Sequence, residues 1–327
     1  MQIIRYISPL SPRPQVGLQT ADGTVRALPV GSVAELLRRS LRDLKDLVDI
    51  GAEGDPISTA AEDDAAPGPV RLLPPVDGLT EVWASGVTYR RSSEARQEES
   101  TVADVYSKVY DAQRPELFFK SPAWRVVGTG EPIGIREDSP IDVPEPELAL
   151  VINAHGEIVG LSICDDVSSR SIEGENPLYL PQAKYYTGAC AVGPGITPIW
   201  AVPDVNDLDI EIAVVRAGST VWGGTTSTSM IHRRFTELVE YLGRAAVFPD
   251  GVLLSTGTGL VPELTFTLEV GDRVDITIGG IGTLSNEVWP ATAEAFGWLT
   301  PAPDRAPAVA GPAGSAGSAA AGSAGGS

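Results

Sequence analysis

The sequence predicts an α+β, sheet-dominated fold: a β-rich core of mixed sheets with a small N-terminal α+β unit. Short β-rich runs fill residues 70–300, and only two helical patterns interrupt them. Strands and helices do not alternate as a doubly wound sheet requires. The end of this region, "ELTFTLEVGDRVDITIGGIGTLSNEV", reads as strand throughout.

At the N-terminus, "MQIIRYISP" and "QVGLQTADGTVRALPV" predict short strands with a turn at Ala21–Gly23. "VAELLRRSLRDLKDLVDI" then predicts one amphipathic helix. The acidic, Pro/Ala-rich stretch from Gly51 to Pro69 reads as a linker, which places the small unit at 1–69 and the main body at 70–300. In the body, Ser93 to Asp111 and Met230 to Ala245 carry helical patterns; Phe235, Leu238, Val239 and Leu242 recur at helical spacing in the second. Residues 301–327 collapse to Ala, Gly, Ser and Pro, too little apolar bulk to pack, and are expected to be a disordered tail.

The 327 residues, 43% of them hydrophobic, suffice for a sizeable core. A net charge of −19 opposes binding to nucleic acid, whose phosphates need a basic surface. No apolar run approaches the roughly twenty residues of a membrane span. The N-terminus lacks a basic head followed by an apolar run, so no secretion signal is expected. Two cysteines, Cys164 and Cys190, are too few for a disulfide framework and point to the reducing cytoplasm. Only two histidines, His155 and His232, are present, so zinc or Ser-His chemistry is disfavoured and carboxylates and lysine remain.

"VPEPELALVINAHGEIVGLSICDDV", Val143 to Val167, reads as a hairpin with acids at its open end. With His155 and Gly156 as a two-residue turn, Glu145 faces Asp166 and Glu147 faces Cys164. The period of two then gathers Glu145, Glu147, Cys164 and Asp166 on one face, continued by Ala149 and Ser162, small enough to leave a cavity. Leu148, Leu150, Ile152, Val159, Leu161 and Ile163 form the opposite, core face. Three carboxylates this close repel one another unless raised pKa values, basic partners or a metal compensate. The cluster is either a solvated acidic strand end or a site for a hard cation, Mg²⁺ first and Mn²⁺ or Ca²⁺ next.

These residues belong to a longer pattern. "PEPELALV", "DDVSSRSIEGENPLYLPQAK", "LLSTGTGLVPE" and "GDRVDITIGGIGTLSNEV" resemble the fumarylacetoacetate hydrolase family, in order from about Val82 to Val288. "YDAQRPELFFK" and the "IEGENPLYLPQAK" segment resemble its sugar-acid dehydratase branch. The resemblance implies a Mg²⁺-dependent site, a small-molecule 2-keto acid substrate and a homodimer or homotetramer. It makes Glu145, Glu147 and Asp166 the metal ligands and Lys184 the active-site lysine. Glu116 becomes an acid/base candidate, and Thr258 a substrate contact. Tyr89, Arg90, Ser92 and Gln182 are further candidates for holding substrate, although a surface role is the commoner one for an arginine such as Arg90. Glu173 and Glu175 read as solvated loop acids.

One departure bears on the reaction. Many family hydrolases carry N-Y-x-x-H-x-x-E, whose His/Glu pair readies a water; this chain has Ser92 and Ala95 at those positions. The expected activity is therefore Mg²⁺-dependent dehydration of a 2-keto-3-deoxy sugar acid through a metal-stabilised enolate. The alternatives are a C–C hydrolase, decarboxylase or isomerase acting on a diketo acid, and a non-catalytic binding protein.

Overall fold

The computed structural model describes residues 1–57, 70–99 and 108–299. Most of the expected linker, the middle of the expected 93–111 helix and the expected C-terminal tail lie outside the described residues. The N-terminal strands are β1 (Gln2–Ser8), β2 (Ser11–Gln19) and β3 (Val25–Ala27). They are followed by β4 (Arg71–Leu73), β5 (Glu81–Gly86), β6 (Glu116–Pro122), β7 (Ile133–Ile135) and β8 (Asp142–Val143). Next come the hairpin strands β9 (Pro146–Ile152) and β10 (Ile158–Asp166), then β11 (Ser168–Ser169) and β12 (Cys190–Pro198). The series ends with β13 (Asp209–Arg216), β14 (Ser219–Ser227), β15 (Val252–Ser255), β16 (Arg273–Ile278) and β17 (Gly282–Pro290).

Among the described residues the strands form a ten-stranded sheet, β3-β2-β1-β12-β10-β9-β15-β5-β6 with β4 on β1, and a five-stranded sheet, β14-β13-β16-β17-β7. β8 and β11 make a small pair beside them. The fold is β-rich and mixed, as the sequence predicts. β1 pairs with β12, so the N-terminal strands extend the same sheet that carries the acidic hairpin.

Two apolar layers hold the sheets. Leu148, Leu150, Leu161 and Ile163 on one face of the hairpin pack with Ile210, Val274, Ile276 and Leu284 of the smaller sheet. Ala149, Val151, Val159 and Cys164 on the other face pack with Leu36, Leu37, Leu44 and Val48 of the N-terminal helices. β9 is consequently buried at every residue, which explains its nearly continuous apolar sequence.

The N-terminal helical pattern divides into helices at Val33–Leu37 and Leu41–Ala52. Ser40 between them is extended, and its hydroxyl accepts from Asp43 N–H, so a new N-cap interrupts the expected single helix. Longer helices of the main body run Arg90–Glu99 and Phe235–Gly243. The "ELTFTL" segment is not a strand: Leu268 packs inward, but its N–H donates to Asp142 O rather than joining a ladder.

The hairpin keeps the expected register at its acidic end, with Cys164 opposite Glu147 and Asp165 opposite Pro146. The turn differs. Asn153 N–H donates to Glu157 O, leaving three turn residues, with Gly156 at φ +78. Ile158 faces Ile152 and Gly160 faces Val151, so Val159 is bulged. The extra turn residue and the bulge cancel in register. The bulge also corrects the expected facing of Val159, which joins Ala149 and Val151 instead of Leu148. Ala149 and Ser162 do not line the cavity beside the acids: both are fully buried, and Ser162 Oγ donates to Gly195 O.

Candidate active site

Five strands bring their ends together. The start of β9, the end of β10, the end of β15, the end of β5 and the start of β6 lie at one end of the large sheet, as the pairings Ser255–Ala149, Ser255–Ala84 and Gly86–Glu116 require. Glu145 precedes β9, Glu147 lies in it and Asp166 ends β10. One carboxylate oxygen from each lies within 4.8 Å of the others, and all three residues are buried.

Each acid is held from behind. Glu147 Oε2 accepts from Ser255 Oγ at 2.5 Å and from Gly257 N–H at 2.8 Å. Residue 257 must be glycine: its φ is +91, and a Cβ would fall 2.0 Å from Thr88 Oγ1. Glu145 N–H donates to Asp165 Oδ1 at 2.9 Å, on the far side of β10. Lys184 ends the helix Leu180–Lys184, is 1% exposed, and donates to Glu145 Oε2 at 2.7 Å and Asp166 Oδ2 at 3.2 Å. It also bonds Ser168 Oγ, and Glu173 Oε1 lies 3.9 Å away. A second buried lysine, Lys120, pairs with Asp166 Oδ1.

The electrostatics are uneven. Burial, with repulsion from Asp166 and Glu145, pushes Glu147 well above the carboxylate range. Burial would also raise Asp166, but Lys120 and Lys184 reverse it and hold that carboxyl below its usual value. The donor set suits a hard dication: three converging carboxylate oxygens, without thiolate or imidazole. A dication among them would relieve the repulsion that elevates Glu147.

The cluster opens into a narrow cavity, part of it facing solvent. Gly86, Ser92, Phe118, Arg170, Lys184 and Thr258 help to line it. Of the residues expected to hold substrate, Ser92 and Thr258 line this cavity; Ser92 Oγ donates to Tyr89 O at 2.7 Å. Tyr89 is 2% exposed, beside Gly259, and its hydroxyl has no hydrogen-bond partner among the described residues. Burial, then the charge of Glu147, raises its pKa. Glu116 does not line the cavity itself; its carboxylate lies against Gly86, which does, and Oε2 is buried and unpartnered among the described residues.

Arg90 and Gln182 are not brought to the cavity. Arg90 is solvent-facing and pairs with Glu94, one turn along its helix. Gln182 is exposed on the outer side of the lysine-bearing helix. Glu173 is not a solvated loop acid: it is 2% exposed, on the helix Arg170–Glu175. Arg170, Glu173 and Lys120 were not expected here. Arg170 and Glu173 stand three apart, the spacing of one helix face, and "ELFFK" sets Glu116, Phe118 and Lys120 on alternate positions of a strand. Both signals were present in the sequence.

A family model described as fumarylacetoacetate (FAA) hydrolase C-terminal matches residues 81–289. A probable 2-keto-3-deoxyxylonate dehydratase of Haloferax volcanii is 45% identical over 272 residues, covering 83% of this chain and 91% of the relative. A 2-dehydro-3-deoxy-D-arabinonate dehydratase of Saccharolobus solfataricus is 44% identical over 223 residues, covering 67% and 74%. A solved structure of 2-keto-3-deoxy-D-arabinonate dehydratase complexed with magnesium and 2,5-dioxopentanoate matches with a TM-score of 0.75 at 34% identity, covering 89% of this chain and 99% of that one. With its sheet order, its carboxylate cluster and these likenesses in agreement, the chain belongs to the fumarylacetoacetate hydrolase family.

Proposed function

We propose that this protein is a hydro-lyase that removes water from a 2-keto-3-deoxy sugar acid of the pentonate type, with Mg²⁺ held by Glu145, Glu147 and Asp166. The observation that carries the reading is the contact of Lys184 with two of three converging carboxylates inside the cavity. The relatives' names supply the substrate class, and the magnesium complex supplies the ion. When bound, Mg²⁺ supplies Lewis acidity that stabilises negative charge developing at the 2-oxo oxygen.

The side chains divide the remaining work. Water is lost as a proton from C3 and a hydroxide from C4, so one group must take a proton and another must give one. Lys184 touches the ligand carboxylates, which sets it nearest the carbon next to the 2-oxo group; it removes the C3 proton. Glu116, whose carboxylate lies against Gly86 of the cavity lining, takes the acid role and protonates the departing C4 hydroxyl. Arg170 offers a guanidinium to the substrate's carboxylate, and Ser92 and Thr258 offer hydroxyls to its polar groups. The cavity positions where family hydrolases carry a His/Glu pair hold Ser92 and Ala95, which supports elimination over C–C hydrolysis.

We further assign the enzyme to the cytoplasm, supported by two buried free cysteines, and to a homodimer or homotetramer, supported by exposed apolar residues such as Leu178 and Met230. The deciding experiment incubates 2-keto-3-deoxy pentonates and an acylpyruvate with the protein, with Mg²⁺ and with chelator. Semialdehyde formation that chelator stops is expected; pyruvate release from the acylpyruvate without dehydration refutes the assignment. Glu116→Gln is expected to keep deuterium exchange at C3 while losing semialdehyde formation, and loss of both would reverse the roles given to Glu116 and Lys184.

A further inference from the structure

Lys120 has no part in the chemistry just described, yet its side chain is 0% exposed and its ammonium stands beside it. Such a charge costs several kcal/mol to bury unless every donor is used. All three are used: it is ion-paired to Asp166 Oδ1, donates to Lys184 O at 2.6 Å and donates to Val167 O at 3.0 Å. One side chain thus grips three features of the site. These are the oxygen of Asp166 turned away from Lys184, the backbone that carries Lys184, and the backbone just after Asp166.

The local fold directs it there. In the β5–β6 pair, Val82 faces Ser121 and Trp83 faces Phe119, so Lys120 is the extra residue of a bulge. A bulge bends its strand and increases the local twist, which here steepens the turn of chain that carries Lys120. The neighbours Trp83 and Phe119 stack edge to face on the other side, which fixes the bulged turn of chain.

We propose that Lys120 is a positioning residue: it fixes the orientation of Asp166 toward the ion and the placement of Lys184 toward the substrate. This deepens the proposed function and rests on its ligand set. A carboxylate with one oxygen pinned by a fixed ammonium can present only the other, Oδ2, to the cluster. Lys120 touches neither substrate nor ion; it acts through Asp166 and the main chain of residue 184.

The test uses full-length protein stripped of metal. Mg²⁺ is titrated calorimetrically into the parent, Lys120→Met and Lys120→Gln. The methionine removes charge and donors at similar length, whereas glutamine keeps N–H donors for the two carbonyls and loses the charge; if the methionine variant does not fold, the glutamine variant decides. Both folded variants are expected to raise the Mg²⁺ dissociation constant about tenfold or more, the usual effect of removing a partner behind a metal ligand. With Mg²⁺ saturating, kcat is expected to stay depressed while KM for the keto acid changes less than about twofold, because the groups that contact substrate remain. A purely structural lysine would lower the melting temperature without that split. Dissociation constants within about twofold of the parent overturn the proposal. A parent that binds Mg²⁺ but turns over no keto acid overturns the dehydratase reading instead, and leaves Lys120 to be judged on affinity alone.

Discussion

At the scale of single residues, the site depends on where charge is placed. Glu147 is the acid with the least compensation, elevated by burial and by Asp166 and Glu145. Glu147→Gln keeps its volume and removes one ligand charge; it is expected to abolish Mg²⁺ binding in the same calorimetric titration while the protein stays folded. Unchanged affinity would remove Glu147 from the ligand set. Gly86→Ala tests Glu116, because the new methyl would lie 2.1 Å from Oε2 and force the carboxylate aside. Misplacement of a catalytic group by about 1 Å costs on the order of a hundredfold in rate, so a large fall in kcat with little change in melting temperature is expected. Asp142 shows a different effect: burial pushes its carboxyl from 3.8 up to about 7. Between those values the folded chain holds a proton that the unfolded chain has lost. The stability of the neutral form is therefore full below the unfolded value and disappears as pH rises toward the folded one. Asp142→Asn should gain melting temperature relative to the parent as pH rises from about 4 to about 7. A constant difference across that range would contradict this sign.

At the scale of elements, β15 and the loop after it matter more than their length suggests. Ser255 and Gly257 hold Glu147, and Gly257 adopts a φ that other residues resist. Gly257→Ala is expected to lower the melting temperature and to weaken Mg²⁺ binding together, since one clash disturbs both; an unaltered melting curve would show that the loop yields easily. Elements also show what the sequence discloses. The acidic face of the hairpin was legible because a period of two is a rigid geometric rule, and its register survived a misread turn only because a bulge restored it. The bulges at Val159 and Lys120 were not legible, since no residue type announces an extra residue in a strand. Tyr89 and Arg90 looked alike as candidates. A helix beginning at Arg90 turns one inward and leaves the other in water, and that start has no capping residue to mark it. Glu173 reads as solvated in the sequence because its short helix lacks an apolar stripe. Its burial comes from pairing, with Lys184 at 3.9 Å.

At the scale of the whole molecule, a ligand that binds only the folded state stabilises it by mass action, about 2.7 kcal/mol at a hundredfold excess over its dissociation constant. Saturating Mg²⁺ should raise the melting temperature by several degrees, and chelator should reverse the rise; equal melting curves with and without the ion would argue against the carboxylate cluster as its site. The first strands bear on a different question, that of modularity. β1 hydrogen-bonds to β12, and β12 borders the strand that ends in Asp166. The leading segment is thus stitched into the same fabric as the reaction centre, despite the composition change that follows it. Shortening the gene from its front would lay bare a row of peptide groups beside the catalytic strands, and such rows recruit other chains. Truncated forms should be lost to self-association before their chemistry can be measured.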